Sequence, residues 1–141
     1  MRRRNPARWR AIEARLSRES TIWLATVRAD GRPHLVPLWF VWLEERVYVC
    51  TGRATQKFTN LINNQNVALA LPDAANVIAI EGEAHTATRE QIDALAEHFY
   101  HKYEWDFRYD ETADWRLIEI TPFKIMAWGD GYDAGEGIRV L

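Results

Sequence analysis

Two runs of β-branched, aromatic and other apolar residues, 21–28 and 33–42, flank Asp30-Gly31. Glycine tolerates the positive φ of a tight turn, so this pair predicts an antiparallel hairpin. A third strand over 46–51 follows the polar turn Glu44-Glu45. Further strands read over 66–71 and 77–88, separated by Pro72-Asp73, where proline has no N–H to give a ladder. The last two, 115–120 and 123–128, bracket Thr121-Pro122. Six or more short strands joined by tight turns predict an antiparallel barrel with helices rather than a parallel sheet, since closure removes exposed edges. Pro37, inside HLVPLWFVW, breaks the strand rule and marks a bulge or an opening, and Trp39 beside it could flank a planar ring.

Pro6 opens a helix in which Trp9, Ile12 and Leu16 recur at helical spacing, ending near residues 17–20. A second helix carries Phe58, Leu61 and Ile62. A third covers 89–103 with the stripe Ile92, Leu95, Ala96 and Phe99, and a polar, aromatic loop follows to Asp114. The 141 residues, 48% hydrophobic and 27% charged, make one domain with a sizeable core. Residues 1–8 read as a basic arm and 129–141 as an acidic, Gly-rich tail whose acids do not match a calcium loop. The arm belongs to a segment, 1–18, with seven Arg against Glu13 alone, so a net charge of −2 leaves −8 for the remainder. Such asymmetry fits contact with nucleic acid or a membrane, or docking of the arm on an acidic surface of its own chain or a partner. The scattered basic residues beyond it, with no recognition motif, argue against nucleic acid.

No apolar run approaches the ~20 residues of a membrane span, and the Arg-rich start lacks a signal peptide's apolar stretch, which points away from a membrane and to the cytoplasm. Cys50, the one cysteine, excludes an intrachain disulfide and reads as a buried strand residue. His98 and His101 stand three apart on a helix but lack a third convergent ligand, so no metal site is assigned. His34 and His85 are lone strand histidines. There is no Ser–His–acid signature, Rossmann fingerprint or Walker lysine.

The junction VYVCTGRATQKFTNL is a candidate anion site, because a strand breaks at Thr51-Gly52 and an amphipathic helix starts almost at once. Helix-start N–H groups lack partners and carry positive partial charge. Thr51 and Thr55 add hydroxyls, and Arg53 and Lys57 add full charges. The alternative is a strand–turn–helix whose Thr caps the helix and whose cations are solvated.

Taken in order, LATVRADGRPHLVPLWFVW, CTGRATQK, KFTNLINNQNVALAL and VIAIEGEAHTA resemble the pyridoxamine 5'-phosphate oxidase-like split β-barrel superfamily of flavin and deazaflavin oxidoreductases, over roughly residues 8–128. The resemblance implies a mainly β fold, a six-stranded antiparallel split β-barrel with an N-terminal helix and flanking helices. It also implies a homodimer holding two cofactors in clefts between subunits. Thr51, Thr55, Gln56 and Lys57 correspond to the family's phosphate-binding segment, with Arg53 and Asn60 as additions. Backbone at Val36, Pro37 and Leu38 would line the FMN or F420 ring, and Asn76 falls where a polar side chain reaches the other subunit's cofactor.

The expected function is therefore FMN- or F420-dependent hydride transfer to a small conjugated or quinone-like acceptor, with Trp39 and Trp42 as pocket walls. In such enzymes the cofactor supplies the chemistry, and no side chain need be the catalytic acid. The tail lacks the true oxidase's C-terminal substrate-binding Arg motif, which counts against pyridoxamine phosphate as substrate. The competing expectation is a module that binds FMN, haem or another planar ligand without turnover.

Overall fold

The computed structural model describes residues 6–129 and 138–139. The elements are α1 (Pro6–Arg18), β1 (Ile22–Val27), β2 (Pro33–Leu38), β3 (Val41–Leu43), β4 (Arg46–Gly52), α2 (Gln56–Asn63), β5 (Asn66–Ala70), β6 (Asn76–Thr86), α3 (Arg89–Tyr103), β7 (Trp115–Gly129) and β8 (Ile138–Arg139). Residues 6–8 of the expected arm form the first turn of α1; residues 1–5, and 130–137 and 140–141 of the expected tail, lie outside the described residues. No described helix is long and apolar enough to cross a membrane.

All strand pairs are antiparallel, in the order β2-β1-β5-β6-β7-β4-β3, with β8 added to β7. The two ends of this path, β2 and β3, are joined by Trp39 and Phe40 alone. Three peptide steps span at most about 11 Å, so the sheet must curl until its edges meet at that corner. The result is a barrel left open along one seam, the split barrel of the sequence reading. Two strand expectations change. The run 33–42 breaks at Trp39-Phe40. Conversely, 115–120 and 123–128 fuse into one strand, because β6 absorbs Pro122 in a bulge where Gly82 faces Pro122 and Phe123 is the extra residue. A Cβ on Gly82 would sit 2.7 Å from the Thr121 carbonyl oxygen, so the bulge requires glycine.

Alternation along the strands divides the core. Ile22, Leu24, Val47, Val49, Leu69, Ile78, Ile80, Ile118, Ile120 and Ile125 fill the barrel. Tyr48, Cys50 and Leu117 point outward, where Leu95, Ala96 and Phe99 of α3 cover them. The helices α1 and α2 serve opposite ends. Trp9, Ile12 and Leu16 of α1 enter the barrel core, while its Arg15 donates to the Asn76 carbonyl (2.6 Å) and pairs with Asp73 (3.8 Å) where β6 begins. The other end, where β4 finishes and β5 begins, is closed by Leu61 and Asn60 of α2.

The corner itself is pinned from α3. The Tyr103 hydroxyl accepts from Phe40 N–H (2.9 Å) and lies 2.8 Å from both the Phe40 and Ser20 carbonyl oxygens, to one of which it donates. Lys102 Nζ donates to the same Phe40 carbonyl (2.9 Å) and lies 4.2 Å over the Phe40 ring. Burial pushes the Tyr103 phenol up to about 12 and draws the Lys102 amine down to about 8. Phe40, outside any ladder and fully buried, thereby has both backbone groups satisfied.

Candidate functional site

The strand-to-helix junction begins where β4 ends at Gly52. Thr55, with extended backbone (φ −89°, ψ 157°), caps α2: its hydroxyl accepts from Phe58 N–H (3.3 Å) and donates to the Gly52 carbonyl (2.8 Å). The helical ladder starts with Thr59 N–H to the Thr55 carbonyl. The N–H groups of Gln56 and Lys57 therefore have no intrahelical acceptor, and no acidic residue stands in this first turn to offset their positive end. Lys57 is half-buried, and desolvation draws its amine below the ordinary lysine value. Among the described residues it has neither an ion pair nor a hydrogen bond. Arg53 is mostly exposed and reaches only 4.0 Å from Asp114, whose carboxylate lies 3.0 Å from Arg116. A cavity of about 450 Å³ beside the turn is lined by Gly52, Arg53, Ala54, Thr55, Ala113 and Asp114, among others. Two bare N–H groups and an unpaired, partly desolvated ammonium give this turn the chemistry of an anion cradle.

Two residues expected in that cradle face elsewhere. Thr51 follows Val47 and Val49 on the inner face of β4, is fully buried, and its hydroxyl has no hydrogen-bond partner. Asn60 is 1% exposed, and its amide is spent: the oxygen accepts from Gln56 Nε2 (2.7 Å) and the nitrogen donates to Thr26 Oγ1 (3.0 Å). One turn beyond Gln56, Asn60 lies on the buried side of α2, so it fixes how α2 meets β1.

Along the seam, the hairpin sets which backbone groups are open. Arg28 N–H bonds the Arg32 carbonyl at the turn, and the register runs Val27 to Pro33 through Ile22 to Leu38. Antiparallel ladders alternate bonded and non-bonded pairs, so His34, Val36 and Leu38 bond β1, while Pro33, Leu35 and Pro37 direct their backbone polar groups to the open edge. The expected lining of Val36, Pro37 and Leu38 is thus corrected. Only Pro37 of the three offers a free carbonyl, and Leu35 adds an N–H and a carbonyl. The Pro33 carbonyl already accepts from Arg28 (2.7 Å). Two prolines at the same parity also deny this edge to a further strand.

Trp39 is 49% exposed at the corner and stacks on Tyr103, with centroids 4.6 Å apart and planes 4° from parallel. Trp42, the other expected wall, is 8% exposed; it packs edge-on against Trp9 (6.3 Å) and donates to Glu13 Oε2 (3.0 Å), docking α1 on β3. Asn76 pairs with Gly129 at the α1 end, opposite the end that holds Lys57. Among the described residues no three His, Cys, Asp or Glu side chains converge on a metal position. The open-edge backbone of Leu35 was missed, although the four-residue spacing of Pro33 and Pro37 signals it. Nothing local in the sequence marks Lys102 and Tyr103, which act on a corner about sixty residues away.

Residues 9–129 match the family described as pyridoxamine 5'-phosphate oxidase, and the chain belongs to that family. A 5a,11a-dehydrotetracycline/5a,11a-dehydrooxytetracycline reductase from Streptomyces rimosus is 32% identical over 130 residues, covering 82% of this chain and 79% of that protein. In fold the chain is similar to an F420 reductase (TM-score 0.67, 24% identity, 80% of this chain and 94% of that one). It is also similar to the haem storage protein HutZ of Vibrio cholerae (TM-score 0.61, 22% identity, 80% and 87%).

The capping geometry gives a stability prediction. Thr55→Ala removes the acceptor for Phe58 N–H and should cost about 1 kcal/mol of unfolding free energy, read by chemical denaturation.

Proposed function

We propose that this protein is an oxidoreductase that holds FMN, or alternatively F420, along its seam and passes hydride to a small conjugated or quinone-like acceptor. The observation that carries this reading is Lys57, a half-buried ammonium without a partner, beside the bare N–H groups that open α2. A phosphate there would receive two backbone donors and one charge, with Thr55 holding the turn, Arg53 free to swing in and Gln56 at the rim. The open edge of β2 supplies the Leu35 N–H and the Leu35 and Pro37 carbonyls to the edge of a planar heterocycle. When bound, the flavin or deazaflavin supplies the hydride chemistry; the protein orients it, keeps water from one face and shapes the acceptor space. A tetracycline-type reductase among the relatives supports an acceptor of conjugated, polycyclic kind.

Two copies complete the cleft in this reading. On the outer face of the sheet, Pro37, Trp23, Ala70, Ala79 and Met126 lie in one register row, apolar and none fully buried. Its alanines permit close approach of a second sheet, and isologous pairing is the commonest way to cover such a face. Asn76, far from its own Lys57, would then serve the partner's cofactor. A haem-binding module without turnover is the second reading, favoured by the likeness to a haem storage protein.

Lys57→Ala should weaken FMN or F420 binding about ten- to a hundredfold in equilibrium titration, with the fold intact, since a charge-assisted hydrogen bond contributes ~1.5–3 kcal/mol. Affinity unchanged in the folded variant removes Lys57 from the site. Leu35→Pro deletes the free-edge N–H without touching the β1 ladder; relative to Leu35→Ala it should lose roughly fivefold in affinity, about one neutral hydrogen bond. Light scattering at micromolar concentration should report a dimer, and a monomer would remove the cross-subunit role of Asn76.

A further inference from the structure

We propose that Trp39 is a rigid stacking platform for the planar acceptor, held at the head of the seam by Tyr103 and Lys102 acting as positioning residues. The inference rests on the oxidoreductase reading and names the part of that site which chooses its substrate.

Five aromatic residues back this position. Phe99 and Phe107 are buried, and Tyr103, Trp105 and Trp115 partly so, each linked to the next by ring contacts of 5.0–6.0 Å. Trp39 is the member that remains half in water, at 49% exposure. It is nonetheless fixed. Tyr103 covers it in parallel at 4.6 Å and Trp105 meets it edge-on at 5.9 Å. Tyr103 in turn cannot shift without releasing its hydroxyl from Phe40 and Ser20, and Lys102 grips the same Phe40 carbonyl. Aromatic pairs gain most from offset-stacked geometry, and a ring already immobilised gives up little entropy when a second ring covers it.

Placement supplies the occupant. Trp39 lies two residues from Pro37, whose carbonyl faces the open edge, so their Cα atoms are within about 7.6 Å. It does not belong to the outer apolar row that a second copy would cover; its contacts run to α3 and the loop after it instead. A flat, polarisable surface at the head of the cofactor cleft suits a flat, electron-poor ring such as a quinone or an extended enone. Small aliphatic acceptors gain nothing from it.

The probe is 2-methyl-1,4-naphthoquinone with the full chain, read by ligand-observed NMR line broadening without turnover and by steady-state kinetics with the cofactor bound. The buried Cys50 thiol, pushed up by desolvation, presents no thiolate to trap the quinone. Trp39→Leu should raise KM for the quinone about five- to tenfold, leave kcat and cofactor affinity within twofold, and abolish most of the broadening. Trp39→Phe should restore most of it. Tyr103→Phe keeps the ring but loses the hydroxyl anchor and should raise KM about threefold. Wild-type protein that gives no broadening, Trp39→Leu that binds the quinone as wild type does, or Trp39→Leu that turns a dimer into a monomer would each overturn the platform. Line broadening that depends on Trp39, alongside a Lys57→Ala variant with unaltered cofactor affinity, would uphold the platform and remove the assigned phosphate site. The reverse pattern would remove the platform and leave the phosphate site standing.

Discussion

The constraint on which the rest depends is the two-residue link between the opposite edges of the sheet. A seven-strand path whose ends are tied by Trp39 and Phe40 cannot lie flat, and right-handed twist alone would not bring β2 and β3 together. Closure at that corner forces the rest of β2 to face the far side of the barrel across a seam without pairing to it. The corner peptide would be left with unsatisfied backbone groups in the interior, and unpaired buried groups of that kind cost about 1–3 kcal/mol each. Tyr103 and Lys102 satisfy them from outside the sheet, so α3 is part of the closure rather than an ornament on it.

The same closure explains why an unpaired cation persists. With the seam open, α2 bridges from β4 to β1 at one end of the barrel, held by the chain Gln56–Asn60–Thr26 and by Leu61 in the core. That anchoring leaves the first turn of α2 with two N–H groups that have no intrahelical acceptor and with a Lys57 ammonium that makes no ion pair among the described residues. A solvated surface lysine would cost nothing; a partly desolvated one without a partner has its charge disfavoured by the fold. Such strain at a helix N-terminus is relieved by an anion, which is the physical content of the cofactor reading.

Much of this was legible in the sequence, and what was not has definite causes. The hairpin at Asp30-Gly31 and the amphipathic stripes of α1 and α3 are local signals and appear as read, and the capping Thr, read as the alternative to an anion-binding residue, is Thr55. The break at Trp39-Phe40 was hidden because a continuous apolar run looks the same whether it is one strand or a strand, a corner and another strand; what fixes the corner comes from residues 102 and 103. Pro122 looked like a strand end because the compensating Gly82 is forty residues away on β6. Thr51 and Asn60 were placed in the cradle by their position in the chain, while strand alternation and helix phase turn them inward. Trp42 could have been separated from Trp39 only by knowing that α1 lands on β3.

In the proposed site, Asn76 and Lys57 cannot serve one cofactor within one chain. They sit at opposite ends of the barrel, separated by most of the eleven-residue length of β6, or about 30 Å at the rise of a strand. No single flavin-sized molecule gripped at Lys57 spans that distance along its own subunit. A two-fold axis lying in the apolar outer face and perpendicular to its strands would reverse the second barrel and bring its α1 end toward the first barrel's α2 end. The proposed site therefore asks for the symmetry of two: the first turn of α2 and the open β2 edge would supply one wall, and the start of the partner's β6 the second.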